Sequence, residues 1–112
     1  MRRGTTPTLV LNIDYQRADI AEAWMTIAQN GRAVINKTLR SDGVEIEDVT
    51  DESGTHAVLT VTLTQSDTLA LAAGAAELQV RALMVDDTAA ASEVVSLTVG
   101  KILKNGIITL EA

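Results

Sequence analysis

The single histidine, His56, is the first residue to consider for chemistry, because imidazole is the side chain that most readily transfers protons near neutral pH. Nucleophilic catalysis would need a nucleophile and an orienting carboxylate beside it. Thr55 and Asp51 are close in sequence, but the chain has no cysteine and no serine in an elbow motif. The pattern favours an exposed loop histidine, and we expect a protein that is not an enzyme.

Carboxylates are concentrated in an acidic run at residues 45–52 and in the pair Asp86-Asp87. Calcium binds oxygen ligands supplied by a tight loop. Asp48, Asp51 and Glu52 could supply three carboxylates, but the Asp-x-Asp-x-Asp-Gly spacing of a dedicated loop is absent. Solvated acidic surface is the favoured interpretation, and a weak calcium site at 48–52 stays open as the alternative. We therefore expect no catalytic residue, no resident metal and no cofactor.

Composition narrows the class of partner. The 112 residues carry a net charge of −6, which disfavours the phosphate backbone of nucleic acids. The absence of cysteine excludes disulfides, thiolate catalysis and cysteine-ligated metal sites. Met1-Arg2-Arg3 is followed by polar residues rather than an apolar run, and the Ala-rich stretch 69–76 is too short to span a bilayer. We expect synthesis in the cytoplasm, without a signal peptide or membrane partner.

Hydrophobic alternation predicts the elements that must position any site. The clearest strand has Leu59, Val61 and Leu63 alternating with threonines, and Asn30-Gly31 is the strongest hairpin signal. Similar patterns and turn signals predict about seven strands, at residues 8–14, 22–29, 32–39, 44–49, 56–64, 77–85 and 92–99.

The predicted fold is an all-β, immunoglobulin-like sandwich of antiparallel strands, with one domain over residues 9–100. One short helical turn is expected near 66–73, capped by Ser66 or Asp67 and ended by Gly74. Trp24, the only tryptophan, is assigned to the core of this sandwich. A helix over residues 19–29, in a small α+β domain, is the alternative; Asn30-Gly31 favours strands.

Two terminal segments are candidate assembly arms, because an extended arm can add a strand to an open sheet edge. The first is an extended segment at residues 1–8, and the second is a strand or arm at residues 101–112. The alternative for the second, with equal weight, is that it covers the domain's own edge, with or without a short strand at 107–110. The candidate contacts share extended or β-favouring character and are Thr5, Thr6, Pro7, Thr8, Ile107, Ile108 and Leu110.

The chain also resembles a known group of proteins. The opening Met-Arg-Arg-Gly-Thr-Thr-Pro-Thr (1–8), Val-Thr-Leu-Thr-Gln-Ser-Asp-Thr-Leu (61–69) and Glu-Leu-Gln-Val-Arg-Ala-Leu (77–83) resemble small structural proteins of tailed phages and prophages of Gram-positive hosts. Residues 89–99 and Gly-Lys-Ile-Leu-Lys-Asn-Gly (100–106) fit the same pattern. The strand layout is similar, more loosely, to the immunoglobulin-like N-terminal domain of phage baseplate upper proteins.

The resemblance implies a virion component of a tail, baseplate or capsid. Its partners would be other virion proteins or copies of itself, joined as an oligomer in the particle. A different class of function is the alternative, an adhesion or ligand-binding module that uses the loop end around Tyr15 and His56. An exposed Tyr15 beside a pocket would favour the binding module, whereas terminal arms that dock on a neighbour would favour assembly.

Overall fold

The computed structural model describes residues 1–52, 54–92 and 94–110. Within these residues the chain forms eight β-strands, one short α-helix and one 3₁₀ turn. The strands are β1 (Thr8–Ile13), β2 (Ile20–Gln29), β3 (Arg32–Thr38), β4 (Val44–Asp51), β5 (Gly54–Thr62), β6 (Gly74–Met84), β7 (Ala89–Ala91) and β8 (Val95–Val99). The helix α1 is Gln65–Leu69, and the 3₁₀ turn is Arg17–Asp19.

The strands form two antiparallel sheets, so the predicted all-β sandwich is confirmed. The smaller sheet has the order β1-β5-β4, and the larger has the order β3-β2-β6, with β7 and β8 both paired to β6. The order β1-β5-β4 matches strands B, E and D of the immunoglobulin fold, and the order β3-β2-β6-β8 matches strands C′, C, F and G. The layers and the partition of strands are therefore those of an immunoglobulin-like sandwich.

The core follows from the period-two pattern. On β5, Ala57, Leu59 and Val61 are buried, while the residues between them face outward. These side chains meet those of β2 and β6 from the opposite sheet, including Met25 and Ile27, which are fully buried. With no phenylalanine available, the core depends on many aliphatic contacts, and truncation of one buried leucine to alanine costs about 2–5 kcal/mol.

The hairpin between β2 and β3 has the predicted turn. Asn30 and Gly31 have φ values of 53° and 75°, and both angles are required by a type I′ turn. Gln29 pairs with Arg32 across the turn, which fixes the register of the hairpin. Residues 20–29 are a strand, so the helical alternative for this segment is wrong.

The helix α1 begins differently from the prediction and ends earlier, since Gly74 begins β6 rather than ending the helix. Its N-cap is Thr64, not Ser66 or Asp67, and Asp67 completes a capping box by accepting from the Thr64 N–H. Asp67 also pairs with Lys37 on the edge strand β3 at 3.0 Å. Burial disfavours the ionised form of Asp67, but the hydrogen bonds from Thr64 and the charge of Lys37 outweigh it. The pKa of Asp67 therefore lies below its usual value.

Trp24 is not a core residue. Its neighbours Ala23 and Met25 are buried, so the alternation of β2 turns the indole to the outer face of the larger sheet, where the residue is 39% exposed. Separately, no helix among the described residues is long and apolar enough to cross a membrane.

Candidate functional site

The N-terminal segment, residues 1–7, packs against its own domain. Arg2 forms a parallel β-bridge with Gly100, just beyond the end of β8. Gly100 N–H donates to Met1 O at 2.7 Å, and Arg3 N–H donates to Gly100 O at 3.0 Å. The amino group of Met1 donates to Thr98 O at 3.2 Å. These bonds cover the outer edge of the larger sheet at the end of β8.

Side chains and backbone tie this segment to α1 as well. The Arg3 guanidinium donates from Nε to Leu71 O at 2.5 Å and from Nη2 to Leu69 O at 2.9 Å. Thr68 is fully buried and donates its hydroxyl to Thr5 O at 2.8 Å. The arm predicted at residues 1–8 thus has several backbone groups engaged within one chain.

The remaining predicted contacts of that arm lie at its junction with β1. Pro7 O accepts from Leu63 N–H at 2.9 Å, which extends the β1–β5 pairing by one bond. Thr8 begins β1, and its hydroxyl lies 3.2 Å from that of Thr62. Thr6 is exposed. Pro7 and Thr8 therefore continue the smaller sheet in this structure.

The C-terminal segment, defined here as residues 101–110, is mostly exposed and makes few hydrogen bonds with the domain. It forms no strand or helix, and only Ile102 is partly covered, close to Gly4. Leu103 is 94% exposed, Leu110 is fully exposed, and Ile107 and Ile108 are more than half exposed. Four of the ten residues of this segment are therefore large apolar side chains exposed to solvent.

One side chain holds the C-terminal segment against the domain. The Gln65 amide donates from Nε2 to Ile108 O at 3.1 Å and accepts from Ile108 N–H at 2.9 Å. A neighbouring β-strand offers the same pair of bonds to a residue. The only other backbone group of this segment with a partner in the described residues is Lys101 O, which accepts from Arg2. Most of its backbone therefore remains available for pairing.

Trp24 marks a second exposed surface, on the outer face of the larger sheet. It lies directly across from Thr38 on β3 and from Arg81 on β6. Beside it, Thr26 donates its hydroxyl to Asn36 Oδ1 at 2.8 Å. Within the described residues Arg81 has no ion pair or side-chain hydrogen bond. Tryptophan and arginine are enriched at binding hot spots, so this face is suited to a protein contact.

Tyr15 and His56 lie at one end of the sandwich but line different depressions. Tyr15 is 43% exposed and borders a cavity of about 90 Å³, whose inner wall includes Val80 and Ala82. His56 is not an exposed loop histidine: it lies within β5, is partly buried, and borders a shallow depression on the outer face of the smaller sheet. Its Nδ1 is 3.8 Å from Asp51 Oδ2. The two residues therefore do not share one binding pocket, and the Tyr15 cavity has room for about one small side chain.

The acidic run 45–52 is spread along β4 and the turn after it. Asp48 Oδ1 accepts from the Arg17 N–H at 2.7 Å, so this carboxylate caps the 3₁₀ turn. No cluster of three or more His, Cys, Asp or Glu residues in the described part of the chain is placed to hold a metal ion. The carboxylates instead give β4 a strongly acidic edge.

Comparisons of this chain with protein-family models, with curated proteins and with solved structures found no match. A proposal for the function therefore rests on these surfaces, together with the resemblance described for the sequence.

Three of the residues that the sequence analysis placed wrongly or missed have readable signals in the sequence. Trp24 alternates with buried neighbours, which places it on the outer face. Thr64 and Asp67 have the spacing of a capping box. The role of Gln65 had no local signal, because its partner Ile108 lies 43 residues away.

Proposed function

We propose that this chain is a non-enzymatic structural protein of a phage virion, which assembles with copies of itself or with a larger virion protein. The observation that carries the proposal is the C-terminal segment, where Leu103, Ile107 and Leu110 are exposed on a backbone with few hydrogen-bond partners. Several exposed large apolar side chains within ten residues, on a backbone that can still pair, are suited to contact with another chain. The sandwich provides a rigid body, and the segment provides the contact.

The two terminal segments have different roles in this proposal. Residues 1–7 complete the domain, since Arg3 and Thr5 already bond to carbonyl and hydroxyl groups of the same chain. Residues 101–110 reach outward. On a symmetric particle the same weak contact is repeated many times, and its effective affinity rises with each linked contact.

Light scattering across a concentration series tests the assembly role. The full chain is compared with a full-length variant that carries Leu103→Ser, Ile107→Ser and Leu110→Ser. We expect a concentration-dependent oligomer for the natural chain and a monomer for the variant. Gln79→Ser, on the larger sheet, is a control that should leave the mass unchanged. A natural chain that is monomeric at every concentration contradicts self-assembly through this segment.

The virion location needs a separate test. Purified particles of a phage that encodes this chain are analysed by quantitative mass spectrometry. We expect the chain in a fixed ratio to the major structural proteins. Its absence from particles, while it is present in the infected cell, overturns the virion assignment.

A second candidate function is an adhesion or ligand-binding module at the Tyr15 end. The observation that favours it is an exposed aromatic ring beside a small cavity with apolar inner walls. A ligand that binds only the folded state raises the melting temperature. Screening small sugars and amino-acid derivatives against the natural chain and Tyr15→Ala tests this function; a shift seen only in the natural chain supports it, and no shift at millimolar ligand argues against it.

A further inference from the structure

We infer that the C-terminal segment of one copy adds as a strand to the open edge of β4 in a second copy. This inference rests on the proposed assembly function and names its partner surface. An edge strand exposes unpaired backbone groups, and an extended segment of another chain can satisfy them.

The strand β4 is the longest edge available. It pairs with β5 on one side and with no other strand in the part of the chain that the structure describes. The 3₁₀ turn contacts β4 only locally, where the Arg17 N–H donates to Asp48 Oδ1. Its eight residues, Val44–Asp51, include four carboxylates and no basic side chain, which gives a formal charge of −4. An acidic edge repels acidic strands, including another β4, and so discourages unselective pairing.

The C-terminal segment carries the complementary charge. Lys101 and Lys104 give residues 101–110 a formal charge of +2, in a chain whose net charge is −6. The segment is also long enough to span β4 and carries β-favouring residues at Ile107 and Ile108. Charge complementarity of this kind selects the partner and speeds the encounter.

The other edges fit this segment less well. The strand β3 carries Arg32 and Lys37, so it repels lysines. The strand β1 has no charged residue, and β7 has only three residues. The outer edge at the end of β8 is already bridged by Arg2. Among the edges of the described residues, β4 is the one that attracts a basic segment.

The two hydrogen bonds between Gln65 and Ile108 hold the segment against its own domain until it pairs with a second copy. The side-chain amide supplies Ile108 with one donor and one acceptor, as a strand neighbour would, but it does so for a single residue. Transfer to β4 replaces these two bonds with a ladder along several residues and covers exposed leucine and isoleucine side chains. The contact is head-to-tail, so it closes into a ring or extends as a filament.

Charge reversal tests the inference in the full-length protein. Glu45→Lys with Glu47→Lys changes the formal charge of β4 from −4 to 0 and so removes its attraction for Lys101 and Lys104. From the loss of opposite-charge pairs across strands, we expect self-association to weaken by about tenfold or more. Glu77→Lys, on the outer face of β6, is the matched control and should change it by less than about twofold. Circular dichroism checks that each variant retains its β structure.

A mixture of two charge-reversed variants shows whether weakened assembly comes from the changed charges or from misfolding. Lys101→Glu with Lys104→Glu should also weaken self-association, and mixing the two double variants should restore assembly between unlike copies. Because the natural chain has no cysteine, a cross-link between Glu47→Cys in one copy and Ile107→Cys in another reads the contact directly, with Asn12→Cys on β1 as control.

The outcomes separate the two proposals. A natural chain that stays monomeric overturns the assembly function and this inference with it. A natural chain that assembles, but is indifferent to reversal at Glu45 and Glu47 and shows no rescue on mixing, overturns only the β4 edge. Rescue together with cross-linking to position 47 but not to position 12 supports the inference.

Discussion

Substitution of Arg3 by methionine tests whether the N-terminal segment is part of the folded domain. Methionine keeps an unbranched apolar stem and removes the guanidinium group. That group donates to Leu69 O and Leu71 O at the end of α1, where Arg3 is partly buried. A free arm would lose nothing on this substitution, whereas a docked segment would lose both charge-assisted bonds.

The expected loss follows from the number and burial of those bonds. A hydrogen bond to a charged group contributes about 1.5–3 kcal/mol when it is well buried. Arg3 is only partly buried, so we expect Arg3→Met to lower the free energy of unfolding by about 2 kcal/mol in total. In a domain of this size that corresponds to a fall in melting temperature of roughly 10 °C. Arg2→Met is the control, because Arg2 is exposed and its side chain makes one bond, to Lys101 O at 2.8 Å.

Urea denaturation at neutral pH measures the difference. The midpoint should fall for Arg3→Met with an unchanged slope, and Arg2→Met should cost less than about 1 kcal/mol. Equal effects of the two substitutions, both below about 0.5 kcal/mol, would refute the docked segment. Residues 1–8 would then be a free arm in solution, and Thr5 and Pro7 would return as candidates for contacts with a neighbour.

Three further predictions concern single sites. The pKa of Asp67 is lower in the folded than in the unfolded chain, so its ionised form stabilises the fold at pH values above the unfolded pKa of about 3.9. That stabilisation is lost as the pH falls through the folded pKa, so Asp67→Asn should lower the free energy of unfolding by about 1 kcal/mol at neutral pH and by less at about pH 2. A cost that does not change with pH in urea titrations would contradict this. Gly43→Ala should lower the free energy of unfolding by about 2 kcal/mol or more, because its Cβ would lie 2.7 Å from Thr62 O at a φ of +79°. Gly31→Ala is the control: the space around Gly31 is open, so the cost in the same assay should be about 1 kcal/mol. Equal costs would show that the close approach at Gly43 is absent. Acrylamide should quench native Trp24 fluorescence at a substantial fraction of the rate in the unfolded chain, because this sole tryptophan is exposed on the sheet; a protected native tryptophan would return it to the core.

Much of the fold could be predicted from the sequence because strand burial is a local, alternating signal. Leu59, Val61 and Leu63 were assigned inward from their spacing alone, and all are buried. The Asn30-Gly31 turn was equally local, since backbone angles at two residues decide it. These predictions succeed because the property of each residue depends on its immediate neighbours.

The interaction surfaces were harder to predict because they depend on which strands become edges. Nothing in residues 44–51 alone says that β4 lacks a second neighbour, and strand order is set by pairings between distant segments. Arg3 is bonded to residues 66 and 68 positions away, beyond any periodic pattern. The prediction for Trp24 is wrong for another reason: it follows from the rarity of aromatic residues in this chain, whereas the alternation along β2 places Trp24 on the outer face.

The parallel bridge between Arg2 and Gly100 has a mechanical consequence. The two segments run in the same direction, so tension applied at residue 1 and beyond residue 110 pulls them past each other. The bonds from Arg3 N–H to Gly100 O and from Gly100 N–H to Met1 O are then loaded together in shear, rather than opened one after another. Under such a load these bonds and the neighbouring bond between Met1 and Thr98 must fail at nearly the same extension. The bonds between residues 1–3 and 98–100 therefore act as a clamp that must open before tension along these strands reaches the sandwich behind it.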